Sequence, residues 1–275
     1  MVTRPVLRYH GGKWKLAKWV IAHFPQHDIY VEPFGGAASV LLQKERSRSE
    51  VYNDKYDNVV NVFRVLRDPD AAKELQRLCL LTPFSKSELE LAGEPSGDPV
   101  EQARRTIVLS FMGRQPEGVT GSRTRTLRFY RDGNSVSREW AVWPEEIAAF
   151  VDRLRGVTIE QQDALSVIAK YDTPSTLLFV DPPYVHSTRS DIQASRGSYH
   201  HEMSDADHEG LSRVLHSCKG MVVLSGYSCE LYRDLYSDWN IVTRKHYAEQ
   251  ASPRTECLWL SPNVTPAQGK LLEVA

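Results

Sequence analysis

The chain has 275 residues, of which 41% are hydrophobic and 25% charged, with a formal net charge of −1. That length buries a core without covalent staples, and the near-neutral balance excludes a global basic field, so a polyanionic partner needs a local patch. Cys79, Cys218, Cys229 and Cys257 form no Cys-x-x-Cys pair and have no histidine at ligand spacing, which argues against a disulfide framework or a zinc site, and no apolar run reaches the ~20 residues of a membrane span.

Leu16, Val20 and Ile21 mark an amphipathic helix after the turn Arg8-Tyr9-His10-Gly11-Gly12-Lys13. Residues 28–32 read as a strand, Pro33-Phe34-Gly35-Gly36 as a tight turn, and 37–44 as a helix. Residues 51–54 form the next strand, and helices follow over 58–66, 71–81 and 100–112. Residues 113–142 are rich in glycine, serine and arginine, a length of irregular chain that is usually functional or disordered. A helix over 145–154 leads back to strands at 157–160, 176–180, 221–224, 240–243 and 257–260. The layout is an α/β sheet whose second and third strands are separated by a helical, arginine-rich insertion, with 1–66 and 150–275 as one domain and 67–149 inserted into it.

Asp181-Pro182-Pro183-Tyr184 closes the apolar strand Thr176-Leu177-Leu178-Phe179-Val180. Open α/β sheets bind ligands at that edge. Two prolines cannot continue a ladder, which frees the Pro182 carbonyl to accept a hydrogen bond. Asp181 and Pro182 O can therefore receive the two hydrogens of an exocyclic amino group while Tyr184 stacks on the base. Glu32, Gly35 and Gly36 sit where a nucleoside needs close backbone approach, and Asp54, roughly 20 residues on, takes the place of an acid that binds ribose hydroxyls. Asp163 follows the third strand, near an adenine moiety by the same logic or as a helix cap. Arginines 104, 105, 114, 123, 125, 128, 131 and 138 supply the local basic patch, with Arg123, Arg125 and Arg128 as base readers. Residues 185–203, with Arg189, Arg196, His200 and His201, read as a polar, glycine-bearing loop directly after the Asp181 to Tyr184 turn, the adjacent histidines as a solvated pair. Ser204-Asp205-Ala206-Asp207 reads as a helix cap.

Arg-Tyr-x-Gly-Gly-Lys, Glu-Pro-Phe-Gly-Gly, Asn-Asp and Asp-Pro-Pro-Tyr, in this order along nearly the whole chain, resemble the Dam-type DNA adenine-N6 methyltransferases. Arg254-Thr255-Glu256-Cys257-Leu258-Trp259-Leu260 resembles members from phages and prophages. The resemblance implies a Rossmann-like class I methyltransferase sheet, S-adenosylmethionine as methyl donor, and double-stranded DNA as partner. It further implies cofactor contacts at Tyr9, Lys13, Phe34, Asp54 and Asp181, an insertion that reads the target, and DNA contacts at Arg8, Arg114, Arg123, Arg125, Arg128, Arg131 and Arg189. Glu32 stands where related enzymes often have Asp, and Ala37 where many have a third glycine. The arginine-rich stretch does not reproduce the hairpin of GATC-reading members, which leaves the target sequence open. Cytosine N4, RNA adenine or an amide side chain as acceptor, and a catalytically silent DNA-binding relative, are the competing readings. A cytoplasmic monomer or weak dimer, free of membrane and metal, is the expected setting.

Overall fold

Runs of branched and aromatic residues set the strands, and Asp-Pro and Ser caps start the longer helices. The computed structural model describes residues 2–9, 11–113, 126–128, 135–188, 201–247 and 253–264. The strands are β1 (Ile29–Glu32), β2 (Ser49–Asn53), β3 (Val157–Glu160), β4 (Thr176–Val180), β5 (Met221–Tyr227), β6 (Asn240–Tyr247) and β7 (Pro253–Leu260). They form one sheet in the order β3-β2-β1-β4-β5-β7-β6. The first five run parallel, so their carboxyl ends share an edge, and β7 is antiparallel to both neighbours. The expected α/β sheet is present, and each of its seven strands was legible as an apolar run.

The helices are α1 (Ala17–Ile21), α2 (Asp57–Arg67), α3 (Pro69–Leu81), α4 (Lys86–Leu91), α5 (Pro99–Met112), α6 (Val136–Val142), α7 (Ile147–Leu154), α8 (Ala164–Tyr171), α9 (Asp205–His216) and α10 (Glu230–Leu235). Asp68 and Asp98 cap α3 and α5, each ahead of a proline whose missing N–H costs nothing at a helix start. Residues 37–44, expected as a helix, form successive turns instead. Gly36 and Ala38 have φ of 48° and 51°, which interrupts a right-handed helix. The Leu41 amide donates to Glu32 Oε1 at 2.7 Å rather than to a carbonyl one turn back.

Side chains alternate across the strands and define two cores. Tyr30, Leu177, Phe179 and Val223 pack with the helices between β2 and β3, among them Phe63 and Leu66 of α2, Leu75 of α3, Ile107 of α5 and Phe150 of α7. Val31, Leu178, Val180, Val222 and Leu224 face Val167 and Ile168 of α8, Leu211 and Leu215 of α9, and Tyr232 and Tyr236 of α10. Both faces of the parallel strands are covered, which is why these strands read as continuous apolar runs. The hydrophobic cluster runs without a break from α2 into α3, α5 and α7, across position 66.

Two buried ion networks fix the insertion. Arg104 pairs with Glu101 at 2.7 Å and Glu88 at 2.8 Å, and Arg105 with Glu101 at 2.7 Å. These arginines bind α4 to α5, which corrects the expectation that they extend a DNA-facing patch: at 5% exposure the Arg104 side chain is already occupied. Beneath the sheet, Arg153 of α7 donates to both oxygens of Glu50 on β2, at 2.6 and 2.9 Å, and Lys44 donates to Glu50 Oε1 at 2.7 Å. Burial opposes ionisation of Glu50, yet the hydrogen bonds from Arg153 and Lys44 hold its carboxyl below the usual range. Arg153→Ala removes the bidentate partner and the donor to Leu41 O, leaving Glu50 with Lys44 as its one charged partner and the Ser47 amide at 3.2 Å. A loss of about 3 kcal/mol in unfolding free energy is expected in denaturant titration, and a loss under ~1 kcal/mol contradicts it.

Candidate active site

Of the five loops that leave the shared carboxyl edge of the parallel strands, those after β1, β2, β3 and β4 lie together at one cavity, and Asn53 at the end of β2 ties the first three to one another. Its side-chain amide donates to Pro33 O at 2.8 Å and to Gln162 O at 3.2 Å, while its Oδ1 accepts from Gln162 N at 2.9 Å. Its carbonyl accepts from Gly35 N at 2.7 Å. A side chain on Gly35 would lie 2.2 Å from the Tyr52 ring and 2.9 Å from Asn53 O, so only glycine permits this approach of the first loop to β2. Gly36 needs its positive φ for the same turn, and a side chain there would lie 3.2 Å from the Tyr9 ring.

These loops enclose a cavity of about 330 Å³. Tyr9, Lys13, Glu32, Phe34, Gly35, Gly36, Asp54, Asp163 and Asp181 all line it, so the structure brings together every residue the sequence assigned to a nucleoside-type ligand. Pro183 lines it as well, whereas Pro182 and Tyr184 lie behind. Asp54 accepts from Gly36 N and Tyr56 N, both at 2.8 Å; burial raises its carboxyl and these two bonds oppose the rise. Asp163 caps α8 through Leu165 N at 3.0 Å, as its helix-cap reading expects, and also borders the cavity. Glu32 accepts from Tyr30 Oη at 2.6 Å and from Leu41 N, and burial lifts its carboxyl to about 7. Its first task is to hold the turn after β1.

Sequence reasoning missed the far wall. His201, Glu202, Met203, Ala206, Asp207 and Gly210, in and just before α9, close the cavity opposite the glycine turns. Ser204 and Asp207 form a capping box there, as the Ser-Asp-Ala-Asp pattern suggested, but the pattern gave no sign that the helix start faces the cavity.

The Asp181 to Tyr184 turn is held by charges from both ends of the chain. Lys13 Nζ lies 3.0 Å from Asp181 Oδ1 and 3.7 Å from Glu256 Oε1 on β7. It also sits 4.7 Å from the centroid of the Tyr184 ring, against which Tyr227 packs at 76°. The Tyr184 hydroxyl bonds Glu256 and lies 3.2 Å from Ser225 Oγ on β5. Burial raises the Asp181 carboxyl to about 6, against the pull of Lys13. Burial and then the Glu256 charge place the Tyr184 phenol well above its ordinary value. Ser225 was not singled out from sequence, and Glu256 was named only within the motif Arg254 to Leu260 with no role; the available signal was one charged residue directly before the apolar run Cys257-Leu258-Trp259-Leu260.

The arginines divide. Arg8 pairs with Glu139 of α6 and lies 5.1 Å from the Phe111 ring centroid, joining the amino-terminal segment to the insertion. Arg128 is 8% exposed; its amide donates to Met112 O at 2.7 Å and its Nε to Gly113 O at 3.1 Å, beside an antiparallel bridge between Gly113 and Leu127. Arg114, Arg123, Arg125, Arg131 and Arg189 lie outside the described residues. Among the described residues no group of three or more His, Cys, Asp or Glu is placed to hold a metal, and no helix is long and apolar enough to cross a membrane.

Residues 9–90 and 125–250 match the family model of D12 class N6 adenine-specific DNA methyltransferases. The chain is 24% identical over 242 residues to a DNA adenine methylase of Serratia marcescens, covering 85% of this chain and 87% of that one. It is 26% identical over 190 residues to a DNA adenine methylase of Escherichia coli K12 and 23% over 185 residues to one of Salmonella typhi, in each case covering 66% of this chain and 65% of the relative. Among solved structures, a precorrin 8W decarboxylase of Methanobacterium thermoautotrophicum aligns over 90% of this chain and 89% of that one at 12% identity, with a TM-score of 0.33. The matched segments hold the glycine turns, the Asn53-Asp54 strand end and the Asp181 to Tyr184 turn, and the chain belongs to the D12 class N6 adenine-specific DNA methyltransferases.

Proposed function

We propose that the chain transfers a methyl group from S-adenosylmethionine to the N6 amino group of an adenine flipped out of double-stranded DNA, with Asp181 and Pro182 O receiving the amino hydrogens. The observation that carries this reading is Asp181 at the end of β4, where its buried carboxyl borders the same cavity as Asp54 and the bare glycine turns. The cavity fits the cofactor on its own chemistry. The Gly35-Gly36 turn brings bare backbone to the cavity edge, Tyr9 and Phe34 offer apolar surface, and Asp54 and Asp163 offer acceptors for ribose and adenine groups. When bound, S-adenosylmethionine supplies an electrophilic methyl.

The residues of the chain do the orienting. An adenine amino nitrogen is a poor nucleophile because its lone pair is conjugated into the ring. Two acceptors on its N–H bonds favour rehybridisation and aim the lone pair out of the ring plane, so catalysis is orientation and electrostatic stabilisation. Asp181, with a carboxyl at about 6, is an acceptor and too weak a base to deprotonate a neutral amine. Flipping costs a few kcal/mol, and stacking by Tyr184 offsets about 1–3 kcal/mol of it. In the described arrangement the Lys13 ammonium lies over the Tyr184 ring, so base entry in this reading displaces that ammonium from the ring face. Target choice falls to the insertion, with Arg114, Arg123, Arg125 and Arg131 as its contacts to DNA, and Arg189 reaching DNA from the loop after β4; Arg8 and Arg128 hold the reading element in place.

A labelled-methyl assay on duplex DNA, RNA and protein tests the substrate class, and methyl transfer to cytosine or RNA in preference to duplex adenine overturns it. Asp181→Ala is expected to lower kcat by about 10²–10³-fold or more with the fold retained, and near-normal turnover of a folded variant removes Asp181 from the role. The ionised carboxylate is a much stronger N–H acceptor than the protonated acid. Because the Asp181 carboxyl is raised to about 6, kcat should climb with pH through that value and level off above it; a flat profile between pH 5 and 8 contradicts the assignment. Asp54→Ala should weaken S-adenosylmethionine binding by about 1–3 kcal/mol in calorimetry. It also leaves the Gly36 and Tyr56 amides without their acceptor, so a lower melting temperature should accompany the weaker binding. Unchanged affinity excludes Asp54 from the cofactor site.

A further inference from the structure

Glu256 does not line the cavity, yet it is a charged side chain only 1% exposed, on the strand that pairs with both β5 and β6. It pairs in register with Tyr227, and Ser225, two residues before that partner, reaches it diagonally with Oγ 3.1 Å from Oε1. Its remaining partners are the Tyr184 hydroxyl and the Lys13 ammonium. A carboxylate at that depth persists only when paired, and its cationic partner is the ammonium that also faces Asp181. One positive charge is thus divided between two carboxylates, 3.0 Å from Asp181 and 3.7 Å from Glu256, and the cluster carries a net negative charge.

We infer that Glu256 is a positioning residue for methyl transfer: it holds the Lys13 ammonium off full pairing with Asp181 and clamps the Tyr184 ring, so that Asp181 keeps its strength as an acceptor. This rests on the reading of Asp181 as the amino-group acceptor. If Glu256 loses its charge, Lys13 settles on Asp181 alone and competes with the substrate N–H for the same oxygen. The ring clamp is separable from this charge effect, because a glutamine at the position still accepts from the Tyr184 and Ser225 hydroxyls.

The groups that face Asp181 are Lys13 from the amino-terminal segment, Glu256 from β7, Glu32 from β1, Tyr184 from its own turn, Ser225 from β5 and Tyr232 from α10. Of these, Glu256 raises the Asp181 carboxyl, while Lys13 and Ser225 lower it. Removing the Glu256 charge therefore moves the acid limb of the kcat profile to lower pH, whereas removing the Ser225 hydroxyl moves it to higher pH. A residue that acted through packing alone would move neither.

The test measures kcat and KM against pH for the full-length enzyme with duplex DNA and S-adenosylmethionine, in the wild type, Glu256→Gln, Ser225→Ala and Asp181→Ala. Glu256→Gln is expected to lose roughly tenfold in kcat, the scale of coupling between neighbouring groups, with an acid limb shifted down and the KM for S-adenosylmethionine within about twofold of wild type. Wild-type kcat with an unmoved limb overturns the inference. So does a raised KM with kcat unchanged, which assigns Glu256 to binding. Should Glu256→Gln fail to fold, Ser225→Ala decides: a lower kcat with the limb shifted up supports the network, and an unaltered profile overturns it. An active Asp181→Ala overturns the acceptor assignment and the Glu256 role with it, while an inactive Asp181→Ala beside an unaltered Glu256→Gln overturns the Glu256 role alone.

Discussion

A buried ammonium has to be paired, and the pairing of Lys13 organises this molecule's functional edge. At 5% exposure, its head group has little water to solvate it, and the carboxylates that replace water come from β4 and β7. The amino-terminal segment is thereby drawn across the carboxyl edge of the sheet, where Lys13 Nζ also donates to Gly11 O at 2.8 Å and fixes the Gly-Gly turn. Breaking any member leaves the others charged in a poorly solvated place, so the segment, the catalytic turn and the antiparallel strand β7 are bound into one unit.

The second constraint is the close approach of loops around β2. Asn53 satisfies four backbone or amide contacts among the loops after β1 and β3, and Gly35 lets the first of these loops lie against the Tyr52 ring. Backbone amides that would otherwise be unpaired in the turn are absorbed by acids: Gly36 and Tyr56 by Asp54, Leu41 by Glu32.

The helices between β2 and β3 are tied to this edge from below. Arg153 reaches from α7 to Glu50 on β2 and to Leu41 O, the residue whose amide meets Glu32. On the outer side Arg8 of the amino-terminal segment meets Glu139 of α6. Two arginines therefore tie these helices to the sheet and to the segment that carries Lys13.

The sequence by itself determined the sheet and most of the cavity. Strands buried on both faces must be apolar throughout, so residues 176–180 and 221–224 announce themselves, and the glycines and acids that end β1, β2 and β4 fall at one edge because parallel strands align their carboxyl ends. Local patterns fail where long-range contacts outbid them. Residues 37–44 have helical composition, yet the Leu41 amide is claimed by Glu32 and the chain turns instead. Arg104 and Arg105 look like a basic surface until Glu88 and Glu101 are folded against them. Glu256 is separated from Lys13 by nearly the whole chain, and nothing in its neighbourhood indicates a partner. Only the antiparallel insertion of β7 beside β5 brings that carboxylate to the ammonium, since strand order is set by the packing of the entire sheet and by no local run of residues.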